Sequence, residues 1–411
     1  MQVVRYMGTK GYLVPDIHRC IEELPQRPRR LVDLFAGTGS VASSFRDQMS
    51  VTCGDALEFV ALLARSRFLS APEEVGPTEL KELVGRASEI ARPRLASLRS
   101  EITEERVALQ AGAKETQRLI DGARHVANST GKKAAATVAR GAGRHTLTEL
   151  YFARGYFSTA QSVEIDALRC AIDQLYPDPP GIRSKVWRHS SKRDLFLAVW
   201  ILAASRIANS PGHTAQFLKS RNERGYSRVA QNWRRSFSHV FISAASDLSQ
   251  LGTPTWRAGN EVLHGDATAL DADIVGSWPS GSLIYADPPY TKDHYSRYYH
   301  LYETLLRYDY PSVHGIGRVR DDRHLSDFCY RTRVRAGFES LCAISASAGA
   351  TMLISYPRSG LLPEEELVET LRGYGSVDVR ATISRQHSTL GASSGSAFKN
   401  ADERLYLVTP S

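Results

Sequence analysis

The chain reads as an α/β protein: an open, mostly parallel sheet interrupted by a mostly helical insertion. Two observations predict this. Short apolar runs recur at residues 31–35, 50–53, 261–264, 282–286 and 351–356, and each gives way to turn residues or an acid. Runs of that length are what a strand covered on both faces looks like. Between the second and third runs lies sequence of another character: 73–124 is charged, alanine-rich and helix-prone, and 194–208 is too densely apolar for a surface helix. A chain of 411 residues also exceeds the usual single-domain size. Two units are therefore expected, 1–71 with 251–411, and 72–250 as the insertion.

The first run, Leu31-Val32-Asp33-Leu34-Phe35, leads into Ala36-Gly37-Thr38-Gly39-Ser40-Val41-Ala42. This predicts strand, glycine turn and helix start, the spacing of a nucleotide-binding turn: the first glycine permits the bend and the second lets backbone approach a ligand. The second run ends at Gly54-Asp55, and 55 − 33 = 22, close to the roughly 20 residues at which an acid meets a ribose hydroxyl. Asp55 is the candidate ribose ligand. The third run ends at Gly265-Asp266. A dinucleotide-binding site competes for the glycine turn, and the fourth run argues against it.

That fourth run delivers Asp287-Pro288-Pro289-Tyr290 at a strand's carboxyl end. Each proline fixes its own φ and removes an N–H, so the carbonyls of this turn are held with little competing hydrogen bonding. A carboxylate, a fixed carbonyl and an aromatic ring suit an exocyclic amino group on a nucleobase, which offers two hydrogens and a flat face.

Asp33-x-Phe35-x-Gly37-x-Gly39 resembles motif I of S-adenosylmethionine-dependent methyltransferases, and Asp287-Pro288-Pro289-Tyr290 resembles motif IV of those that methylate amino groups of nucleic acid bases. Gly265-Asp266 looks like motif III, and Tyr6-Met7-Gly8-Thr9-Lys10 like motif X. The order X, I, IV is the alpha arrangement. Further similarity, in 154–158, 165–169, 207–213, Tyr295 and 298–304, points to the DNA adenine-N6 methyltransferases of type II restriction-modification systems; 71–150 departs from the pattern.

The resemblance implies a Rossmann-like methyltransferase sheet with an antiparallel terminal pair, here 377–383 with 404–408. It implies S-adenosyl-L-methionine as cofactor, held by Tyr6, Lys10, Asp33, Phe35, Gly37, Thr38, Gly39, Asp55 and Asp266, with Asp266 on the cofactor's adenine. Asp287, Pro288, Pro289 and Tyr290 would be catalytic, acting on an adenine flipped out of the duplex. His300 and Glu303 read as structural. Cytosine-N4 or RNA adenine methylation stays open, as does a non-catalytic DNA-binding role, although cytosine-N4 enzymes usually begin motif IV with serine.

The net charge of +8 is concentrated. Between Arg183 and Arg235 twelve Lys or Arg face two acids, 12 − 2 = +10, interleaved with Trp187, Tyr226 and Trp233. Such a block suits phosphate contacts. Arg183, Lys185, Arg188, Lys192, Arg193, Lys219, Arg221, Arg224, Arg228, Arg234 and Arg235 are the candidate DNA contacts; a solvated helix face is the alternative. Residues 131–144, small and basic, are expected to form a loop that orders on DNA, and 392–396 a second flexible loop.

Five cysteines with no Cys-x-x-Cys pair argue against a disulfide scaffold and a zinc site. No metal is expected. With no leader-like start and no apolar run of about 18 residues, a cytoplasmic, nucleoid-associated enzyme is expected, with double-stranded DNA as partner, a cognate restriction nuclease or other defence subunit as a further one, and no membrane.

Overall fold

In a computed structural model, the structure describes residues 10–71, 75–123, 145–178, 184–388 and 398–410. Tyr6, Arg183 and the segments 131–144 and 392–396 lie outside these. The strands are β1 (Arg30–Asp33), β2 (Ser50–Asp55), β3 (Val186–Trp187), β4 (Glu261–His264), β5 (Leu283–Ala286), β6 (Val313–His314), β7 (Val319–Arg320), β8 (Thr351–Pro357), β9 (Gly375–Ser388) and β10 (Phe398–Pro410). Eight form one sheet in the order β3-β4-β2-β1-β5-β8-β10-β9, while β6 and β7 make a separate hairpin. Strands β4, β2, β1, β5 and β8 run parallel, and β10 enters antiparallel to both β8 and β9. The terminal pair expected by analogy is present and longer than its apolar core suggested.

The other edge was not foreseen. Strand β3 pairs antiparallel with β4 through Val186 and Trp187, so the inserted segment contributes to the sheet. Two residues set among basic ones carry no strand periodicity, and only the pairing reveals them.

Alternation along each strand divides its side chains between two cores. Leu31, Val51, Leu283 and Leu405 pack on one face with Ile17 and Ile21 of helix Val14–Glu22. Val32, Ile284, Met352 and Tyr406 pack on the other with Phe338 and Leu341 of helix Val334–Ala348. A third core is built around helix Lys192–Ile207, whose residues from Leu195 to Ser205 are all buried and whose first turn is capped by Ser191 and Asp194. That core also takes Phe59, Val60 and Leu62 from one part of the chain and Tyr299 to Leu306 from another.

Several stretches that carried the resemblance meet in this third core. His300 Nε2 lies 2.7 Å from the Thr214 carbonyl, to which the Tyr156 hydroxyl donates. Asn209 Nδ2 donates to the Gly155 carbonyl at 3.1 Å. Glu303 accepts the amides of Glu58 and Phe59, each at 3.2 Å, and so satisfies the first turn of helix Glu58–Phe68. Both His300 and Glu303 are structural, as their sequence context suggested.

Strand order places the functional crevice. From β1 the chain moves outward to β2 and later to β4, then returns to place β5 on β1's other side. The loops leaving β1 and β5 therefore diverge, and such a switch point opens a crevice at the strands' carboxyl ends.

Candidate active site

A cleft occupies that crevice. Of the residues singled out from sequence, Lys10, Asp33, Phe35, Gly37, Thr38, Asp55, Asp266, Asp287 and Pro289 line it, joined by Tyr285, His294, Tyr295, Ser296, His324 and Ser326. Residues as far apart as 10 and 326 thus share one wall.

The glycine turn owes its shape to Asp55. Gly37 has φ of 50° and donates its amide to Asp55 Oδ2 at 3.1 Å, while Asp55 Oδ1 accepts the Leu57 amide at 2.9 Å. Burial pushes the Asp55 carboxyl up to about 6, against the opposing pull of those amides and that of Ala56. Asp33 accepts from the Phe35 amide at 3.3 Å. Burial first, then Asp287, carries it up to about 8, so it is largely protonated at neutral pH.

Gly39 needs a different explanation from the one its spacing suggested. It does not line the cleft, and a Cβ there would sit 2.7 Å from the Phe68 ring. With φ of 71° it occupies left-handed space. Backbone conformation and Phe68 both call for glycine here, whatever approaches the turn.

Across the cleft, Lys10 Nζ reaches Asp287 Oδ1 at 3.0 Å and lies 5.5 Å from the centre of the Tyr290 ring. It also pairs with Glu403 of β10, which accepts from the Tyr12 hydroxyl and, at 2.6 Å, from Ser355 Oγ. Burial opposes the charge on Lys10, but Asp287 and Glu403 outweigh it and hold the ammonium's pKa well above its ordinary value. Burial carries the Asp287 carboxyl up to about 7, with Lys10 opposing and Glu403 adding. Asp266 accepts from Thr268 N and Oγ1 at 2.9 and 2.8 Å, and His324 Nε2 is 3.8 Å from its other oxygen.

Two buried polar atoms among the cleft residues, Tyr285 Oη and His294 Nδ1, have no hydrogen-bond partner among the described residues. Leaving such groups unpaired is unfavourable, and a polar ligand would relieve both. Apolar Phe35 and Leu34 beside the carboxylates of Asp55, Asp266 and Asp287 suit a nucleoside joined to a charged amino acid.

The sequence profile of the D12 class N6 adenine-specific DNA methyltransferases matches residues 6–75 and 215–345, which carry the glycine turn, Asp55, Asp266 and the Asp287 loop. Over these two stretches the chain is similar to that family. Among its relatives, modification methylase LlaI of Lactococcus lactis subsp. lactis is 24% identical over 403 residues, 97% of this chain and 54% of the relative. The type II methyltransferase M.FokI of Planomicrobium okeanokoites is 24% identical over 386 residues, 90% of this chain and 47% of the relative. Modification methylase StsI of Streptococcus sanguinis is 22% identical over 401 residues, 95% and 50%. The chain spans about half the length of these relatives.

Glu403 is the functional candidate that sequence reasoning missed. Its only signal is an acid just before the apolar alternation of 404–408, and nothing local says that it faces Lys10. The basic block also divides on inspection. Lys192 pairs with Glu79 at 2.6 Å, and Arg193 binds Asp173 at 2.6 Å and the Tyr176 carbonyl at 2.7 Å; both basic side chains are mostly buried. Arg188 pairs with Glu261 at 2.7 Å and Lys185 with Asp271 at 2.9 Å. Lys192 and Arg193 thus tie the inserted segment to neighbouring helices, whereas the Lys185 and Arg188 side chains remain largely exposed. In the other flank Arg221, Arg224, Arg228 and Arg234 are exposed, Lys219 is half-buried, and exposed Arg235 donates to the Arg206 carbonyl at 2.8 Å. Arg224 and Arg228, four apart on helix Glu223–Trp233, share one side, and Arg221 stands just before its N-cap Asn222. Val229, Ala230 and Trp233 fill the buried side.

Among the described residues no helix is long and apolar enough to cross a membrane.

Proposed function

We propose that this chain is a site-specific DNA methyltransferase that transfers the methyl group of S-adenosyl-L-methionine to N6 of an adenine flipped out of the duplex, in a restriction-modification or phage-defence setting. The observation that carries this is the meeting of two loops: the glycine turn after β1, through Gly37 and Thr38, and the loop after β5, through Asp287 and Pro289, face one cleft at the sheet's switch point. The catalytic unit is assigned to 1–71 and 251–411, and target recognition to 72–250. The setting implies a cognate nuclease or other defence subunit as a partner, and a location in the cytoplasm with the DNA.

The cofactor, when bound, supplies an electrophilic methyl group on a sulfonium. Asp33, Phe35, Gly37, Thr38 and Asp55 would hold its nucleoside end, Asp266 its adenine amino group, and Tyr6 and Lys10 the methionine end. Adenine N6 is a poor nucleophile because its lone pair is delocalised into the purine. With Lys10 on one oxygen, the Asp287 carboxylate retains acceptor capacity for one amino hydrogen, and the Pro288 carbonyl would accept the other. Two acceptors fix the orientation of N6, localise its lone pair and aim it at the methyl carbon, while Tyr290 stacks on the base. As the N6–C bond forms, the C–S bonding pair returns to sulfur, and N6 then loses one hydrogen as a proton. A carboxylate whose pKa lies near 7 is suited to take it at neutral pH.

The exposed Arg221, Arg224, Arg228 and Arg234, with Lys219 and Arg235, are the proposed phosphate contacts. The test is transfer of a labelled methyl group to duplex DNA, followed by nucleoside analysis. N6-methyladenine, absent when the duplex lacks adenine, is expected. N4-methylcytosine, or labelling of RNA in preference to DNA, would overturn the adenine-DNA assignment.

A further inference from the structure

We infer that Glu403 is a positioning residue of the methyl-transfer site: by engaging the Lys10 ammonium it keeps Asp287 available as the acceptor and base for the target amino group. The inference rests on the function proposed above. Lys10 is 8% exposed and Glu403 2%, so this ion pair is shielded from water. Glu403 lies at the buried face of β10 that continues through Leu405 and Leu407 into an apolar core. A carboxylate there is costly to desolvate, and an apolar residue of similar size would often serve stability as well. Yet three groups are turned to it, the Lys10 ammonium, the Tyr12 hydroxyl and the Ser355 hydroxyl, and Lys10 links it to Asp287.

Charge explains the arrangement. One ammonium stands between two carboxylates. With Glu403 present, Lys10 is already neutralised, so Asp287 keeps the proton affinity its task requires. Without Glu403 the full charge of Lys10 would fall on Asp287, which would become a spent salt-bridge partner, a weaker acceptor and a weaker base. Tyr12, Asp33, Tyr285, Tyr290 and Tyr295 also face Asp287 electrostatically. Lys10 is the cation among these neighbours, which gives its second partner leverage.

The experiment is a carbon-13 carboxyl titration of the full-length protein, with the Asp287 resonance assigned by loss in Asp287→Asn, run on wild type and Glu403→Gln. It needs no turnover, so it fails or succeeds apart from the proposed activity. Glu403→Gln is expected to lower the Asp287 midpoint by about one pH unit or more, the direction in which an unbalanced Lys10 acts. On an adenine duplex, kcat should fall by roughly tenfold or more at pH 7, with its acidic limb displaced downward and cofactor affinity held within about threefold. If Glu403→Gln does not fold, Glu403→Asp, which retains the charge at shorter reach, should move the midpoint the same way by less. An unmoved Asp287 midpoint in the folded variant overturns the inference. So does a kcat loss that appears only with loss of cofactor binding, which would mark Glu403 as structural.

Discussion

Asp55 accepts the amide hydrogen of Gly37 at 3.1 Å, joining the carboxyl end of β2 to the turn that leaves β1. The carboxylate proposed to hold a ribose is thus already the brace of the glycine turn. A carboxylate has about four acceptor positions, of which the Gly37, Leu57 and Ala56 amides use three, so room for a ligand hydroxyl remains and bracing and ligand binding are compatible.

Replacement of Asp55 should therefore affect turn and ligand together. Asp55→Ala is expected to weaken S-adenosylmethionine by roughly 10- to 100-fold, because charged hydrogen bonds contribute about 1.5–3 kcal/mol each. Calorimetry would show it; an unchanged dissociation constant would remove Asp55 from the cofactor site.

Asp287→Ala should leave cofactor affinity within about tenfold and reduce methyl transfer by on the order of 10²–10³-fold or more, the usual loss when an oriented acceptor is removed from a reacting centre. On the proposed mechanism the ionised carboxylate is the active form. Its raised pKa of about 7 means that kcat should climb as pH rises through that region and level off above it. Single-turnover rates between pH 5.5 and 8.5 would test the sign; a rate that falls over the same interval would contradict it.

Gly39 should behave as a stability position. Gly39→Ala imposes left-handed strain of roughly 1–2 kcal/mol and drives a methyl into the Phe68 ring. Denaturant unfolding should report a loss of that order or more, partly recovered by Phe68→Leu, which replaces the flat ring with a smaller side chain. A wild-type midpoint with lost cofactor binding would instead restore the ligand-approach explanation.

The arginine face offers a salt-dependence test. Charge reversal of Arg221, Arg224 and Arg228 should raise the DNA dissociation constant steeply for specific and nonspecific duplexes, and each lost phosphate contact should flatten the log–log salt slope by about one. Cofactor affinity should not move, since none of the three lines the cleft. Intact DNA binding with an unchanged slope would make this a solvated helix face.

The sequence by itself determined the parallel core of the sheet, the glycine turn, and the placing of Asp55, Asp266 and Asp287 at strand ends. Each depends on local features: an apolar run sets a buried strand, and a glycine or proline sets the turn that follows. Tertiary structure alone decided the rest. Strand β3 exists only because β4 is there to pair with it. Lys192 and Arg193 became structural because Glu79 and Asp173, distant in sequence, face them. The packing of Phe68 against Gly39 appears only in the fold. Glu403 joins the site across 393 positions of chain. A charge on a strand looks the same in sequence whether it meets water or a buried ammonium, and only folding supplies the partner.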